Sequence, residues 1–231
     1  MVITAHYDHL ETKEKEKIYP GADDNASGVA ALLEIARQFG KKSPLPRHSL
    51  ILVAFDAEEL GKQGAYAFVK TPPVPLEHIL LVINLDMIGR NRRNHLYVAG
   101  TRHSPFLIPL VKRVAKHSFL ILLLGHDFSS FQKKRGGSMR SIDIGSRAAE
   151  GSMRKKPTTP SIGIESQDED WTSMSDHVAF HEAGIPFLYL GVETHADYHQ
   201  PTDTFEKIDK LFFLQAVDTI LKLVIEADNF L

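Results

Sequence analysis

The chain has no cysteine in 231 residues. Disulfides and thiolate metal sites are therefore excluded, and any zinc must be held by histidine, aspartate and glutamate. Long apolar runs are also missing. The stretches at 119–124 and 80–83 are far shorter than the roughly 20 residues a helix needs to cross a bilayer, so no membrane span is expected. Neither sign of charge dominates. Lys and Arg number 27, Asp and Glu 29, and the net charge of -2 gives no support to a nucleic-acid partner. No signal peptide opens the chain. Met1–Ala5 runs straight into His6 like a strand entered in its middle. That start predicts a sheet edge near Val2–Ala5 that is exposed or covered by a partner, and a chain that lacks an N-terminal segment. Between 126 and 171 hydrophobic periodicity is lost, and the segment reads as a long irregular loop.

What is present suits a single domain over residues 1–231. A hydrophobic content of 43% and a charged content of 24% describe an ordinary globular protein with a sizeable core. Strand-like runs at 2–7, 48–55, 78–88, 95–99, 119–124 and 185–190 alternate with helical patterns at 29–39, 61–69, 105–117, 175–183 and 206–230. The run 48–55 is almost continuously apolar, as expected of a strand buried on both faces. Ser27 is placed to cap the first helix. Alternation of this kind predicts an α/β three-layer sandwich whose mixed, largely parallel sheet is flanked by helices. Sites in such sheets form beyond the carboxyl ends of strands.

That position is where the chemistry-bearing residues fall. The glycine-bounded loop 21–28 presents Asp23 and Asp24 just before a helix. His6 and Asp8 lie at or just after the end of the first strand, Glu58 and Glu59 after the second, Asp86 at the end of the third, and His199 beyond the last. A pair of zinc ions needs a shared carboxylate, further carboxylate and histidine ligands, and room for water. His6, Asp24, Glu59, Asp86 and His199 make such a set, and Glu58 stands beside it as a general base. Asp8 either orients the His6 ring, as outer carboxylates do, or is merely solvated. Asp23 reads as a turn or cap residue. His195 and His199 are four apart, and Tyr198 with Gln200–Asp203 favours His199 as the ligand. Asp176 is a pocket residue or a helix cap. Trp171 packs in the core or lines the pocket.

His6-Tyr7-Asp8, the loop 21–28, Ala57-Glu58-Glu59-Leu60-Gly61, Asn84-Leu85-Asp86-Met87-Ile88-Gly89, Ser175-Asp176-His177 and Tyr198-His199 occur in the order found in the bacterial leucyl aminopeptidase-like dizinc exopeptidases, peptidase family M28. The resemblance covers the chain from His6 to the final helix. It implies the zinc-exopeptidase, phosphorylase/hydrolase-like fold and two Zn²⁺ per chain. His6 and Asp86 would hold one ion, Glu59 and His199 the other, and Asp24 would bridge them. It further implies Glu58 as the base that activates the attacking water, Tyr198 as a donor to the developing oxyanion, and a cis peptide at Asp24-Asn25. The expected activity is zinc-dependent removal of the first residue from a peptide with a free N-terminus. A secreted or periplasmic location also comes from the resemblance alone. Two other readings share the fold. One is a single-zinc glutaminyl cyclase-like acyltransferase, against which His6, Asp24 and Asp86 argue together. The other is an inactive binding module, against which the complete ligand set argues. Oligomeric state is left open.

Overall fold

A computed structural model describes residues 1–11, 17–41, 45–127, 162–164 and 169–231. Among these, seven strands form one sheet: β1 (Val2–His6), β2 (Ile51–Phe55), β3 (Val82–Asp86), β4 (His95–Ala99), β5 (Ile121–Leu124), β6 (Ile162–Ile164) and β7 (Phe187–Gly191). Their order is β2-β1-β3-β7-β4-β5-β6. β2, β1, β3 and β7 are mutually parallel. β4 meets β7 antiparallel, and β5 and β6 continue parallel to β4. The sheet is thus mixed and mostly parallel, as the alternation of strands and helices predicts.

Side-chain alternation builds the layers, because successive strand residues face opposite sides. Ile3, Ala5, Ile83, Leu85, Leu188 and Leu190 share a core with α1 (Gly28–Gly40), α3 (Ile108–Ala115) and α5 (Lys210–Phe230). Val2, Val82, Phe187 and Tyr189 share the opposite core with α2 (Gln63–Lys70) and α4 (His177–Glu182). α1 forms because Ala31, Leu32, Ile35 and Phe39 recur on one stripe, and those residues are the buried ones. α5 starts where the Asp209 carboxylate accepts the Leu211 and Phe212 amides.

Several expectations need correction. β1 is not an edge: it lies between β2 and β3, and Val2–Ala5 are fully buried. Among the described residues β2 is an edge of the sheet: the apolar run marked it as buried on both faces, yet its first four residues are half-buried or exposed. A run of apolar residues gives strand character but not rank in the sheet. Ser27 does not cap α1. Its hydroxyl donates to the Asp23 carbonyl at 2.7 Å and accepts the Ile88 amide at 3.0 Å. α2 begins at Gln63 rather than Gly61, because Gly61 and Lys62 take left-handed backbone angles in a tight turn on the Glu58 carbonyl. In place of one helix over 105–117, a 3-10 turn at Pro105–Leu107 leads into α3, whose Pro109 sits in the first turn where no amide donor is needed. Of the expected loop 126–171, residues 128–161 and 165–168 lie outside the described residues. The rest includes strand β6 and the buried His126, Asp127 and Trp171.

Phe212 is fully buried where α5 meets the α1 and α3 core. Phe212→Ala is expected to lower unfolding free energy by about 3–5 kcal/mol, read from urea denaturation of the metal-free chain.

Candidate metal centre

The candidate site lies over the carboxyl ends of β1, β2, β3 and β7. His6 ends β1 and Asp86 ends β3, and the register Thr4↔Asn84 brings the two to the same height. Glu58 and Glu59 follow β2, and Tyr198 and His199 follow β7.

The loop 22–27 is fastened from several sides. Asn25 donates to the Leu85 carbonyl at 2.9 Å, and its Oδ1 accepts the amides of Gly28 at 3.0 Å and Met87 at 3.2 Å. Gly28 is required here, since a Cβ would fall 2.4 Å from Asn25 Oδ1 and 2.7 Å from the Leu85 carbonyl. The peptide bond Asp24-Asn25 is cis, as the resemblance implies. Asp23 faces away from the ligand set. One oxygen accepts the Gly89 amide at 2.6 Å, and the other lies 3.0 Å from His195 Nε2. Asp23 is therefore a fastener of the loop, and His195 supports it from behind. Asp203, 179 residues downstream of Asp24, accepts the amides of Asp23 and Asp24 at 2.9 and 3.1 Å. The Arg90 guanidinium is the counter-charge: it lies 3.7 Å from Asp23, 3.5 Å from Asp203 and 2.8 Å from Asp197. Arg90 was not picked out from the sequence, and Asp203 figured there only as the end of the stretch that favours His199.

Asp24 projects between two groups of donors. On one side His6 Nε2 lies 3.3 Å from Asp24 Oδ1 and 3.4 Å from Asp86 Oδ1. On the other, His199 Nε2 lies 3.1 Å from Asp24 Oδ2 and 3.4 Å from Glu59 Oε1. All five sequence-predicted ligands are thus brought together. Glu58 is buried and lines the same pocket, with Trp171, Tyr189 and Tyr198. Asp8 acts differently from the simplest expectation. Its backbone carbonyl takes the His6 Nδ1 proton at 3.1 Å, with its carboxylate at 3.6 Å. The carboxylate instead accepts the amides of Glu58 and Glu59 at 3.0 and 3.1 Å. With Nδ1 donating, Nε2 is the nitrogen left to face Asp24 and Asp86. The Asp176 carboxylate is not a cap: it is buried, and both oxygens lack a hydrogen-bond partner among the described residues. Trp171 is buried, stacks on His126 at 3.7 Å and also lines the pocket, so both readings of it hold. His9 was missed by sequence reasoning. Its ring is 3.1 Å from Glu59 Oε1, and its only signal was a third polar residue close behind His6.

Crowding of carboxylates governs the electrostatics. Burial disfavours the charged form of His6, but Asp86, Asp24 and Asp8 outweigh it and hold the imidazole far above its usual range. Burial, then the charge on Asp86, pushes the Glu58 carboxyl up to about 7. Burial also pushes Asp176 up to about 8, with Glu58 and Asp86 adding to it. Burial works against ionisation of Asp24 too, yet His199 and His6 keep it well below the usual carboxylate range. His177, buried and donating to the Trp171 carbonyl, is lowered to about 3 by burial and stays neutral.

The donor set fits zinc. It is nitrogen and carboxylate oxygen only, which suits that ion. The contacts of His6 and His199 with the carboxylates are close without being aligned as hydrogen bonds, and Asp24 Oδ2 is left buried with no hydrogen-bond partner among the described residues. Two clusters of converging ligand atoms result, one of His6, Asp24 and Asp86 and one of His9, Asp24 and Glu59. They share Asp24.

Comparison with known proteins bears on the family and the fold. The family model described as "Peptidase family M28" matches residues 1–134 and 146–224. Aminopeptidase YwaD of Bacillus subtilis is 30% identical over 97% of the chain, which spans 40% of that protein. The solved structure of a zinc aminopeptidase from Bacillus subtilis superposes with a TM-score of 0.66 at 27% identity, covering 98% of the chain and 45% of that structure. The fold alone is also shared with a glutaminyl cyclase of Porphyromonas gingivalis, at a TM-score of 0.64 and 20% identity over 98% of the chain and 72% of that structure. The chain therefore spans less than half the length of the two aminopeptidases it matches.

Removing Arg90 would strand Asp23 and Asp203, both fully buried. Arg90→Met is expected to destabilise the metal-free chain by about 3–5 kcal/mol, the range for breaking a buried ion pair from one side. The denaturant midpoint measures it, and Arg90→Lys should recover part of the loss.

Proposed function

The chain belongs to peptidase family M28, and on that footing we propose that it is a zinc-dependent aminopeptidase acting on peptides with a free N-terminus. The convergence of His6, Asp24, Glu59, Asp86 and His199, with Glu58 beside them, is the observation that carries this reading. His6 and Asp86 would hold one ion, Glu59 and His199 a second, with Asp24 shared. Bound zinc supplies Lewis acidity toward the scissile carbonyl and lowers the pKa of water.

The chain's own groups do the rest. Glu58 takes the proton of the attacking water and returns it to the leaving amine. A carboxyl near 7 suits a group that must both accept and release a proton at neutral pH. The Asp8 carboxylate fixes the backbone of Glu58 and Glu59, which keeps base and ligand apart. Two neighbouring residues project in different directions, so they can hold different roles. The Tyr198 hydroxyl donates to the oxyanion. Burial first, then Asp24 and Asp86, holds that phenol above its usual range, so it keeps its proton for the purpose. The carboxylates of Glu58 and Asp86 attract the ammonium of the substrate's first residue, which favours removal of terminal residues over internal cleavage.

A panel of aminoacyl-anilides tests the activity. Release of anilide that stops after chelation and returns with zinc is the expected result, and N-acetylated versions should be inert. Glutaminyl-anilide should yield free glutamine and the aniline; pyroglutamyl-anilide with release of ammonia would favour the cyclase reading. Glu58→Gln should keep its zinc and lose roughly 10²–10⁴-fold in turnover, the usual range for a general base. Glu59→Gln should instead weaken one zinc and recover partly with added zinc. Zinc stoichiometry and turnover, measured together, check both, and exchanged phenotypes would exchange the roles.

A further inference from the structure

Glu59 has to point one oxygen at a metal position, and its side chain has three rotatable bonds to settle. Asp8 fixes the backbone amide of Glu59 at 3.1 Å. It does not fix the side chain. The next residue does: His9 Nδ1 lies 3.1 Å from Glu59 Oε1. The His9 side chain is 12% exposed, and its Nε2 is buried without a hydrogen-bond partner among the described residues. The contact with Glu59 is therefore what orients the ring. Space for the ring comes from Gly21, whose φ is +58° and where a Cβ would lie 2.8–2.9 Å from His9 Cγ and Cδ2. The ring meets His199 edge-on at 5.9 Å. Donor atoms of His9, Asp24 and Glu59 lie within 4.8 Å of one another.

We propose that His9 is the positioning residue of the second metal position: its Nδ1–H donates to Glu59 and locks that carboxylate toward Asp24 and His199. Asp8 and His9 then divide the work, one holding the Glu59 backbone and the other its side chain. The proposal deepens the two-metal reading above and rests on it. Ligating carboxylates are themselves held by hydrogen bonds, and losing such an outer partner weakens metal binding by about 10–100-fold.

Zinc titration calorimetry on the full metal-free chain tests this. Wild type should show two binding steps. His9→Ala should weaken the second by about 10–100-fold and leave the first unchanged, without shifting the thermal midpoint of the metal-free chain. His9→Asn restores an N–H donor and should recover most of the loss. If His9→Ala lowers the midpoint, His9→Leu, which refills the space without a donor, carries the comparison. An unchanged second step overturns the proposal. So does His9→Asn binding as weakly as His9→Ala, which would make His9 a ligand itself. A wild type that takes up one zinc defeats the two-metal reading separately. His9 is then judged on that ion: weakening in His9→Ala with rescue by His9→Asn keeps the role, and unchanged affinity removes it.

Discussion

Buried carboxylates repel one another, and the architecture around the candidate site answers that repulsion. Asp23, Asp24, Glu58, Asp86, Asp176 and Asp203 are all buried. An ionised carboxyl out of water is costly unless it is paired, hydrogen-bonded or bound to a cation. Each carboxylate meets the demand differently. Asp23 and Asp203 accept backbone amides and face Arg90. Asp24 and Asp86 share His6 within the candidate ligand set. Glu58 has only Lys62 at 3.5 Å and Asp176 has no hydrogen-bond partner among the described residues, and burial raises the pKa of both. One constraint thus separates a pair held by amides and Arg90, a pair sharing His6, and a pair whose pKa is raised, all within one loop cluster.

The sheet makes such crowding tolerable. Parallel strands β1, β3 and β7 deliver their last residues to one edge, so His6 and Asp86 arrive on rigid backbone. Loops add the rest, each tied down by hydrogen bonds of its own. The 22–27 loop is fixed to the end of β3 through Asn25 and to the segment after β7 through Asp203. Helices contribute packing rather than ligands.

Much of this was legible in the sequence. Periodicity located every strand but β6 and most of the helices, and the predicted set stood at strand ends or in the loops beyond them. Residues whose type is itself chemical, such as His6, Asp24 and Glu59, declared themselves. What stayed hidden depends on who neighbours whom. The apolar run of β2 looks like a central strand, and only the pairing of β1 with both β2 and β3 shows that it is an edge among the described residues. Ser27 has the right type and place for a cap, but its hydroxyl is claimed by Asp23 and Ile88. Arg90 and Asp203 look like surface charges until the fold sets them against Asp23. His9 is indistinguishable in sequence from a solvated histidine, because its partner Glu59 lies 50 residues away.

The tie between Asp203 and the amides of Asp23 and Asp24 also bears on the order in which the molecule is made. A chain leaving the ribosome carries His6, Asp24, Glu59 and Asp86 long before it carries His199 and Asp203. Until the segment after β7 emerges, the amides beside Asp24 lack their acceptor, and one side of Asp24 lacks its imidazole. The early section can pair β1 with β2 and β3, but it presents acids without the groups that organise them. Assembly of the candidate centre is thereby deferred until the segment after β7 has been made.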